Sequence, residues 1–224
     1  MRVLYEDNHL LAIAKPPGIV TQGARGGVAT LLDEAKQYIT NKYHKPGNVY
    51  LGVVSRLDAP VTGVVLFART SKAAARLSAA FRNREVDKQY LALVEGVPDP
   101  PAGRLSHFLR KDERHRKVHV TSEAAPDATH AELSYETLGT RGDQTLLLVK
   151  PVTGRKHQIR VQLAKLGTPI VGDRKYGSTI EIKEGIRLHA WRLGLEHPVR
   201  KEPLVIEADL PQSWPEWRRG VVPG

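Results

Sequence analysis

The sequence predicts an α+β fold, in which one domain spanning residues 1–224 carries a mixed, largely antiparallel sheet flanked by helices and loops around a central cleft. Hydrophobic residues make up 41% of the chain and charged residues 26%, which is typical of a globular protein. No repeat, low-complexity tract or tail interrupts the chain. Strand-like segments outnumber helical ones and do not alternate strictly with them, which favours α+β over α/β.

The first half of the chain combines two buried strands with two helices. The apolar run Leu10–Ala14 ends at a Lys-Pro-Pro-Gly turn and is typical of a buried strand. Thr30 is the expected N-cap of a helix, because Asp33 follows three residues later. The β-branched segment Val61–Ala68 predicts a strand buried on both faces. Ser71 is the expected cap of a second helix, whose apolar positions are Ala74, Leu77 and Phe81.

The second half is dominated by strands. We expect a strand at Tyr90–Gly96, a hairpin at Leu105–Val120, and a strand pair at Thr129–Tyr135 and Thr145–Val149. A third helix is predicted from Lys156 to Leu166, and Gly167 would stop it in a left-handed conformation.

Composition excludes several classes of protein. The chain has no cysteine, which rules out disulfides, thiolate metal sites and a cysteine nucleophile. No apolar run approaches the roughly 18 to 20 residues that span a bilayer, and the N-terminus does not resemble a signal peptide. We therefore expect a cytoplasmic protein that does not bind membranes. A net charge of +10 favours a polyanionic partner, either nucleic acid or an acidic membrane surface.

The positive charge is concentrated in two stretches, Arg104–Val120 and Lys150–Lys175. A single stretch of this kind is as often a solvated face as a binding site. Two in a short chain favour RNA or DNA, because neighbouring cations that neutralise phosphates release condensed counterions. A membrane surface is disfavoured, since neither stretch is paired with a broad apolar helix face.

Two segments contain residues that could take part in catalysis or ligand binding. Asp58 lies between an arginine and a predicted turn, directly before a buried strand, although a turn-forming aspartate is the alternative. The segment Gly154–Arg160 gathers polar groups at a predicted helix start, where anions are attracted. Lys156 and Arg160 are four residues apart and are predicted to share a helix face. A capped surface helix is the alternative there.

The ordered series of motifs is more specific than either segment. It comprises Asp58, Lys88-Gln89-Tyr90, Gly154–Arg160, Gly167–Asp173 with Tyr176-Gly177, and Leu188-His189-Ala190 with His197-Pro198. This series resembles the RluA-type branch of the RNA pseudouridine synthases, from about Tyr5 to Pro211. Because Tyr5 stands so near the start of the chain, we expect no separate RNA-binding domain of the S4 type that some relatives carry.

The resemblance implies a reaction and its residues. Uridine in RNA would be isomerised to pseudouridine: the N1–C1′ bond breaks, the uracil turns, and C5 joins C1′. Asp58 matches the essential carboxylate, which acts either as a nucleophile on C1′ or as a base on the sugar. Arg160 matches its basic partner, and Tyr90 matches the tyrosine that stacks on the uracil. Arg56 matches the arginine that fills the gap left by the flipped nucleotide.

The expected partner is tRNA or large-subunit rRNA, bound by a monomer without a metal or any other cofactor. Besides Arg56, the residues expected to bind RNA are Arg155, Lys156, Arg110, Lys111, Arg114, Arg116 and Lys117. We expect discrimination between RNAs, which depends on RNA shape, at the loop Gly23–Gly27 and at the hairpin Leu105–Val120.

Several positions call for separate interpretation. Ser55 and Gln162 replace histidines that are usual in the resembled family. His115 and His119 have the spacing of metal ligands on a helix. They fall in a predicted hairpin with no third ligand nearby, so we expect no metal there. Asp173 is expected to serve a turn or a helix cap rather than catalysis.

Two other functions fit parts of the pattern. The charge clusters would also suit a non-catalytic RNA-binding protein or RNA chaperone. A nucleic-acid hydrolase that uses Asp58 is disfavoured, because Asp58 has no neighbouring carboxylate or metal-ligand motif in the sequence.

Overall fold

A computed structural model describes residues 1–23, 26–44, 46–214 and 217 of the chain. Residues 24 and 25 of the loop Gly23–Gly27 lie outside these ranges. Strands and three helices are combined without strict alternation, which confirms the α+β class. The chain divides into two compact units. The first unit comprises Met1–Asp87 and Ala190–Asp209, and the second comprises Lys88–His189 and the segment from Leu210 onward. None of the helices in the described ranges is long and apolar enough to cross a membrane.

The elements follow one another along the chain as follows. The strands are β1 (Arg2–Glu6), β2 (Leu10–Lys15), β3 (Gly52–Val53), β4 (Thr62–Ala68), β5 (Asp87–Glu95), β6 (Ala102–Asp112), β7 (Lys117–Thr121), β8 (Thr129–Arg141), β9 (Gln144–Pro151), β10 (Leu188–Glu196) and β11 (Pro203–Glu207). The helices are α1 (Leu31–Tyr43), α2 (Ser71–Arg82) and α3 (Gln158–Lys165), and a short 3₁₀ turn spans Arg174–Tyr176.

The first unit is a sheet with a helix on each face. Its strands run in the order β1-β2-β4-β10, with β3 paired to β4 and β11 paired to β10. Side chains of β2 alternate between the two faces, because successive residues in a strand point in opposite directions. Leu11 and Ile13 pack against the buried residues of α1, whereas Leu10 and Ala12 pack in the cluster that contains those of α2. Every residue of β4 is buried, as the sequence predicts.

The caps of the first two helices differ in how well the sequence predicts them. Thr30 forms the expected capping box with Asp33, in which each side chain accepts from the other residue's backbone N–H. The predicted cap of α2 is wrong by one residue. Thr70 is the N-cap, its Oγ1 accepting from the N–H of Ala73 at 3.2 Å, and Ser71 is already helical.

The second unit is built on an antiparallel sheet in the order β5-β9-β8-β6-β7. Strands β6 and β7 form the predicted hairpin, and β8 and β9 form the predicted pair, both longer than expected. Helix α3 shares a small core with the hairpin and β8, made of Leu109, Val118, Ala131, Val161 and Tyr176.

Helix α3 begins two residues later than predicted. His157 has a left-handed backbone, with φ at 53°, so the chain before Gln158 cannot continue the helix. Lys156 therefore lies outside α3, and the prediction that Lys156 and Arg160 share a helix face is wrong. The helix ends as expected, since Gly167 is left-handed at φ 91°.

Candidate active site

Asp58 lies in the first unit, on a turn that leads into β4. The N–H of Val61 donates to the carbonyl oxygen of Asp58 at 3.0 Å, which closes the predicted turn around Pro60. The side chain of Asp58 is half-buried, so its carboxylate lies near the surface while its backbone is fixed.

Both neighbours of Asp58 are held by buried polar side chains. The hydroxyl of Thr21 donates to the carbonyl of Leu57 and accepts from the N–H of the same residue, at 3.1 and 3.2 Å. The ammonium of Lys15 donates to the carbonyl of Ala59 at 2.9 Å. The backbone on each side of Asp58 is therefore fixed by side chains from the end of β2 and the segment after it, which limits the positions its carboxylate can reach.

Lys15 is buried, with 2% of its surface exposed, and its ammonium donates to backbone carbonyl oxygens. Besides Ala59, its ammonium donates to the carbonyls of Pro16 and Ile19, both at 2.8 Å. Burial lowers the pKa of Lys15 to about 8, and the negative charge of Asp58 works in the opposite direction. Lys15 thus places a positive charge near Asp58 that is largely present at neutral pH.

Arg160 lies in the second unit, on the first turn of α3, and is 5% exposed. Its Nε donates to Oδ2 of Asp173 at 2.7 Å and its Nη2 donates to Oδ1 at 2.8 Å. This two-point contact fixes the plane of the guanidinium as well as its position.

Asp173 has one of its two expected roles, in a turn, but its side chain has a different partner from the one expected of a cap. No side-chain cap bond is made at the start of the 3₁₀ turn that Asp173 precedes. Its carboxylate, 1% exposed, serves Arg160 instead, because a buried guanidinium needs a counter-charge. The main chain of Asp173 does take part in a turn, in which its N–H donates to the carbonyl of Ile170.

Tyr90 and Arg56 lie where they could meet a ligand. Tyr90 is half-buried on β5 of the second unit, opposite Val149 of β9. Arg56 is exposed in the first unit, two residues before Asp58. Because Asp58 is in the first unit and Arg160 in the second, the predicted ion pair between them stays a prediction.

The basic hairpin is exposed as expected. Arg110, Lys111, Arg114 and Arg116 are exposed on or beside β6 and β7, as are Arg155 and Lys156 before α3. Lys117 differs, since it is half-buried with its Nζ 5.4 Å from the centre of the Tyr176 ring. The expected RNA-binding surface thus offers its guanidinium and ammonium groups to solvent at one hairpin and at the start of α3.

The connection between β6 and β7 is closed by Asp112. Its carboxylate accepts from the backbone N–H of His115 at 3.0 Å and lies 2.8 Å from Nδ1 of that histidine. These bonds lower the pKa of Asp112. His119 approaches the same carboxylate at 3.7 Å, so a third polar group does lie near the two histidines, contrary to expectation. Across the described ranges, however, no group of three or more such side chains is placed to hold a metal ion.

Ser55 and Gln162, the two departures from the family pattern, both make bonds to the backbone. The hydroxyl of Ser55 accepts from the N–H of Leu66 in β4 at 2.9 Å. Nε2 of Gln162 donates to the carbonyl of Leu105 in β6 at 3.0 Å. Both side chains therefore stabilise the scaffold around the site.

Sequence reasoning missed Lys15, Asp173 and Tyr176 as parts of the site. A lysine placed directly after a buried apolar strand was the available signal for Lys15. Asp173 and Tyr176 belong to the ordered motifs, but their contacts with Arg160 were not predicted, because these contacts join positions 13 and 16 residues apart.

Comparison with known proteins agrees with this geometry. The family model for RNA pseudouridylate synthases matches residues 9–165. The chain is 34% identical to the dual-specificity RNA pseudouridine synthase RluA of Escherichia coli K12, covering 92% of this chain and 91% of that protein. It is also 34% identical to the ribosomal large subunit pseudouridine synthase D of Nitrosomonas europaea, covering 95% of this chain but only 63% of that protein.

Among solved structures, the human RNA pseudouridylate synthase domain containing 4 superposes with a TM-score of 0.78 at 27% identity, over 94% of this chain and 89% of that one. The human RNA pseudouridylate synthase domain containing 1 shares the fold, with a TM-score of 0.73 at 24% identity over 95% of this chain and 85% of that one. The fold, the ordered motifs and the extent of the matches lead to one conclusion: the chain belongs to the RluA-type branch of the RNA pseudouridine synthases, enzymes that isomerise uridine in RNA.

Proposed function

We propose that the protein converts specific uridines of tRNA or large-subunit rRNA to pseudouridine, with Asp58 as the essential carboxylate. The fixed backbone of Asp58 carries this proposal. Thr21 and Lys15 hold the residues on either side of it, so the carboxylate can meet a flipped nucleotide without a large reorganisation.

The reaction requires the uracil to leave C1′, turn, and return through C5. The N1–C1′ bond breaks and the C5–C1′ bond forms. The hydrogen on C5 is lost as a proton and N1 gains a proton, so the product is an isomer of uridine. Asp58 would either bond to C1′ or remove a proton from the sugar, and both routes need an ionised carboxylate. Arg160 is proposed as its cationic partner, with the guanidinium preset by Asp173.

The proposed nucleotide contacts complete the site. Tyr90 would stack on the uracil during its turn, and Arg56 would occupy the space that the flipped nucleotide leaves. The hairpin formed by β6 and β7, with Arg155 and Lys156, would contact phosphates, because exposed guanidinium and ammonium groups bind them sequence-independently. The names of two relatives, a dual-specificity RNA pseudouridine synthase and a ribosomal large subunit pseudouridine synthase, support RNA as the substrate, and the second supports large-subunit rRNA. We further propose that the protein acts as a monomer in the cytoplasm.

The decisive experiment measures tritium release from tRNA and rRNA labelled with 5-³H-uridine. Formation of the C5–C1′ bond expels the C5 hydrogen, whereas binding and strand hydrolysis do not. Wild-type protein should release tritium from at least one RNA, and D58N should lower the rate at least about 100-fold, since it removes the reacting group.

The matched control is D127N. Asp127 is exposed and left-handed at φ 58°, a conformation that asparagine accepts readily, so this variant should match the wild type. Binding of both RNAs by the wild type without tritium release would favour the non-catalytic alternative. Equal rates for D58N and D127N would show that Asp58 is not essential for the reaction.

A further inference from the structure

Tyr176, the last residue of the 3₁₀ turn, contacts both the hairpin and the start of α3. Its hydroxyl accepts from the backbone N–H of Val118 in β7 at 2.9 Å. The same hydroxyl is hydrogen-bonded to Nδ1 of His157, the N-cap residue of α3, at 2.7 Å. The tyrosine is only 8% exposed, so both bonds lie in a protected environment where geometry is well defined.

The ring of Tyr176 also contacts Arg160. The guanidinium carbon lies 5.0 Å from the ring centre, a distance typical of cation–π contacts. Three residues earlier, Asp173 binds the same guanidinium through both carboxylate oxygens. The segment Asp173–Tyr176 therefore holds Arg160 in two ways, by a counter-charge and by an aromatic face.

The hairpin is attached to this segment at a second point. Nζ of Lys175 donates to the carbonyl of Arg116 at 2.9 Å, next to the proposed RNA-binding side chains. Lys117 also lies over the Tyr176 ring. A displacement of β7 would therefore be transmitted to the tyrosine, which cannot shift without changing its contact with Arg160.

We propose that Tyr176 is a positioning residue that links the placement of the β6–β7 hairpin to the orientation of Arg160. This inference rests on the proposed function, in which the hairpin binds RNA and Arg160 acts beside the essential carboxylate. Its consequence is that an RNA that seats the hairpin correctly also orients the guanidinium. An RNA that displaces the hairpin binds but reacts slowly, so discrimination occurs in the chemical step as well as in binding.

The test compares Y176F with Y135F. The first variant keeps the ring over Arg160 and removes the hydroxyl that is bonded to Val118 and His157. Tyr135 is a suitable control because it is a buried tyrosine of the same unit, whose hydroxyl donates to the carbonyl of Pro100 at 2.9 Å. Both variants lose a buried hydroxyl, so both should lower the melting temperature to a similar extent.

Three quantities are measured: the single-turnover rate at saturating RNA, the RNA dissociation constant, and the Nε–H resonance of Arg160, assigned by its loss in R160K. In Y176F we expect the rate to fall about tenfold or more, because a small misplacement of a site group is costly, with affinity within about twofold of wild type. The Arg160 resonance should shift in Y176F and stay unchanged in Y135F.

Equal rates and equal Arg160 resonances in Y176F and Y135F would overturn the link. A loss of affinity without loss of the saturated rate would also overturn it, because Tyr176 would then serve only hairpin structure. If the wild type releases no tritium, the proposed function fails, and the resonance comparison still decides whether Tyr176 controls Arg160.

Discussion

Lys15 places an ammonium group among backbone carbonyl oxygens beside Asp58. The folded protein surrounds this charge with carbonyl oxygens of Pro16, Ile19 and Ala59, while burial lowers its pKa to about 8. An unfolded chain holds the same proton with an ordinary lysine pKa of about 10.4. Between these two values the unfolded state binds more protons than the folded state.

The first prediction concerns the pH dependence of stability. Below pH 8 the folded state carries the full cost of a buried charge, and this cost is relieved as pH rises from about 8 to 10. The free energy of unfolding of the wild type should therefore rise relative to that of K15M, by up to about 1.4 kcal/mol per pH unit. Urea denaturation at several pH values measures the difference.

The control for this prediction is K72M, which removes an exposed lysine at the start of α2. Its stability should stay parallel to that of the wild type across the same pH range. Parallel curves for K15M as well would mean that Lys15 keeps an ordinary pKa in the folded protein.

Single residues also show what the sequence could and could not predict about the site. Asp58, Tyr90 and Arg160 were found from motifs, and their roles stay predictions. The bidentate partner of Arg160 was not found, because Asp173 looked like an ordinary turn residue. Its role depends on burial of the guanidinium, which is created by tertiary packing and has no signature in the local sequence.

At the scale of elements, the β6–β7 hairpin offers exposed basic side chains on β6 and on the connection between β6 and β7. Asp112 closes its connection, and Tyr176 and Lys175 hold its second strand. These hydrogen bonds therefore fix the hairpin that carries the exposed cations. Cations on a fixed hairpin lose less conformational freedom on binding RNA than cations on a loose loop.

The second prediction concerns the salt dependence of RNA binding. R110A/R114A removes two exposed guanidinium groups and should weaken RNA binding. The slope of the logarithm of the binding constant against the logarithm of salt concentration should become shallower by about 0.7 to 0.9 per lost phosphate contact. Filter binding at four salt concentrations gives the slope.

The equally charged control is K72A/R82A on α2 of the first unit, where both side chains are exposed. This variant should leave the slope unchanged. A slope change that is the same in both variants would show that total charge, and not the hairpin, governs binding.

Elements also differ in how well local sequence predicts them. Helix α1 was predicted with its cap because the Thr30–Asp33 capping box is a local signal. Helix α3 was predicted to start too early, since a left-handed conformation is uncommon at a non-glycine residue such as His157 and cannot be foreseen from its neighbours. The helix is also buried all round from Gln158 to Leu163, so its polar residues gave a misleading impression of a surface face.

For the whole molecule, the α+β class could be predicted because it depends on counting and ordering elements. The single domain expected for residues 1–224 stays a prediction, beside a division into two compact units. The first unit is made of two stretches of sequence with most of the second unit between them, and no local signal predicts this interrupted course. Its strands β10 and β11 are separated from β4 by more than a hundred residues, a pairing that only the complete fold determines.

The third prediction follows from the expectation that no metal or other cofactor is needed. Protein purified in EDTA and assayed with EDTA present should release tritium at the rate of untreated protein, provided that the RNA stays folded. Monovalent salt keeps the RNA folded in this assay. The single-turnover rate of RNA already bound to the protein is compared with and without EDTA. A loss that added Mg²⁺ restores at constant RNA structure would contradict the expectation.

The interrupted course of the first unit has a consequence for synthesis on the ribosome. The five strands and the helix of the second unit lie between Asp87 and Lys165, so they leave the exit tunnel as one uninterrupted stretch. The N-terminal part of the first unit emerges earlier but lacks β10 and β11 until residue 207 has been translated. At roughly 5 to 20 residues per second, β4 waits for several seconds with β2 and β3 as partners but without β10. The part of the molecule that holds Asp58 is thus begun first and completed after the sheet of the second unit has been made.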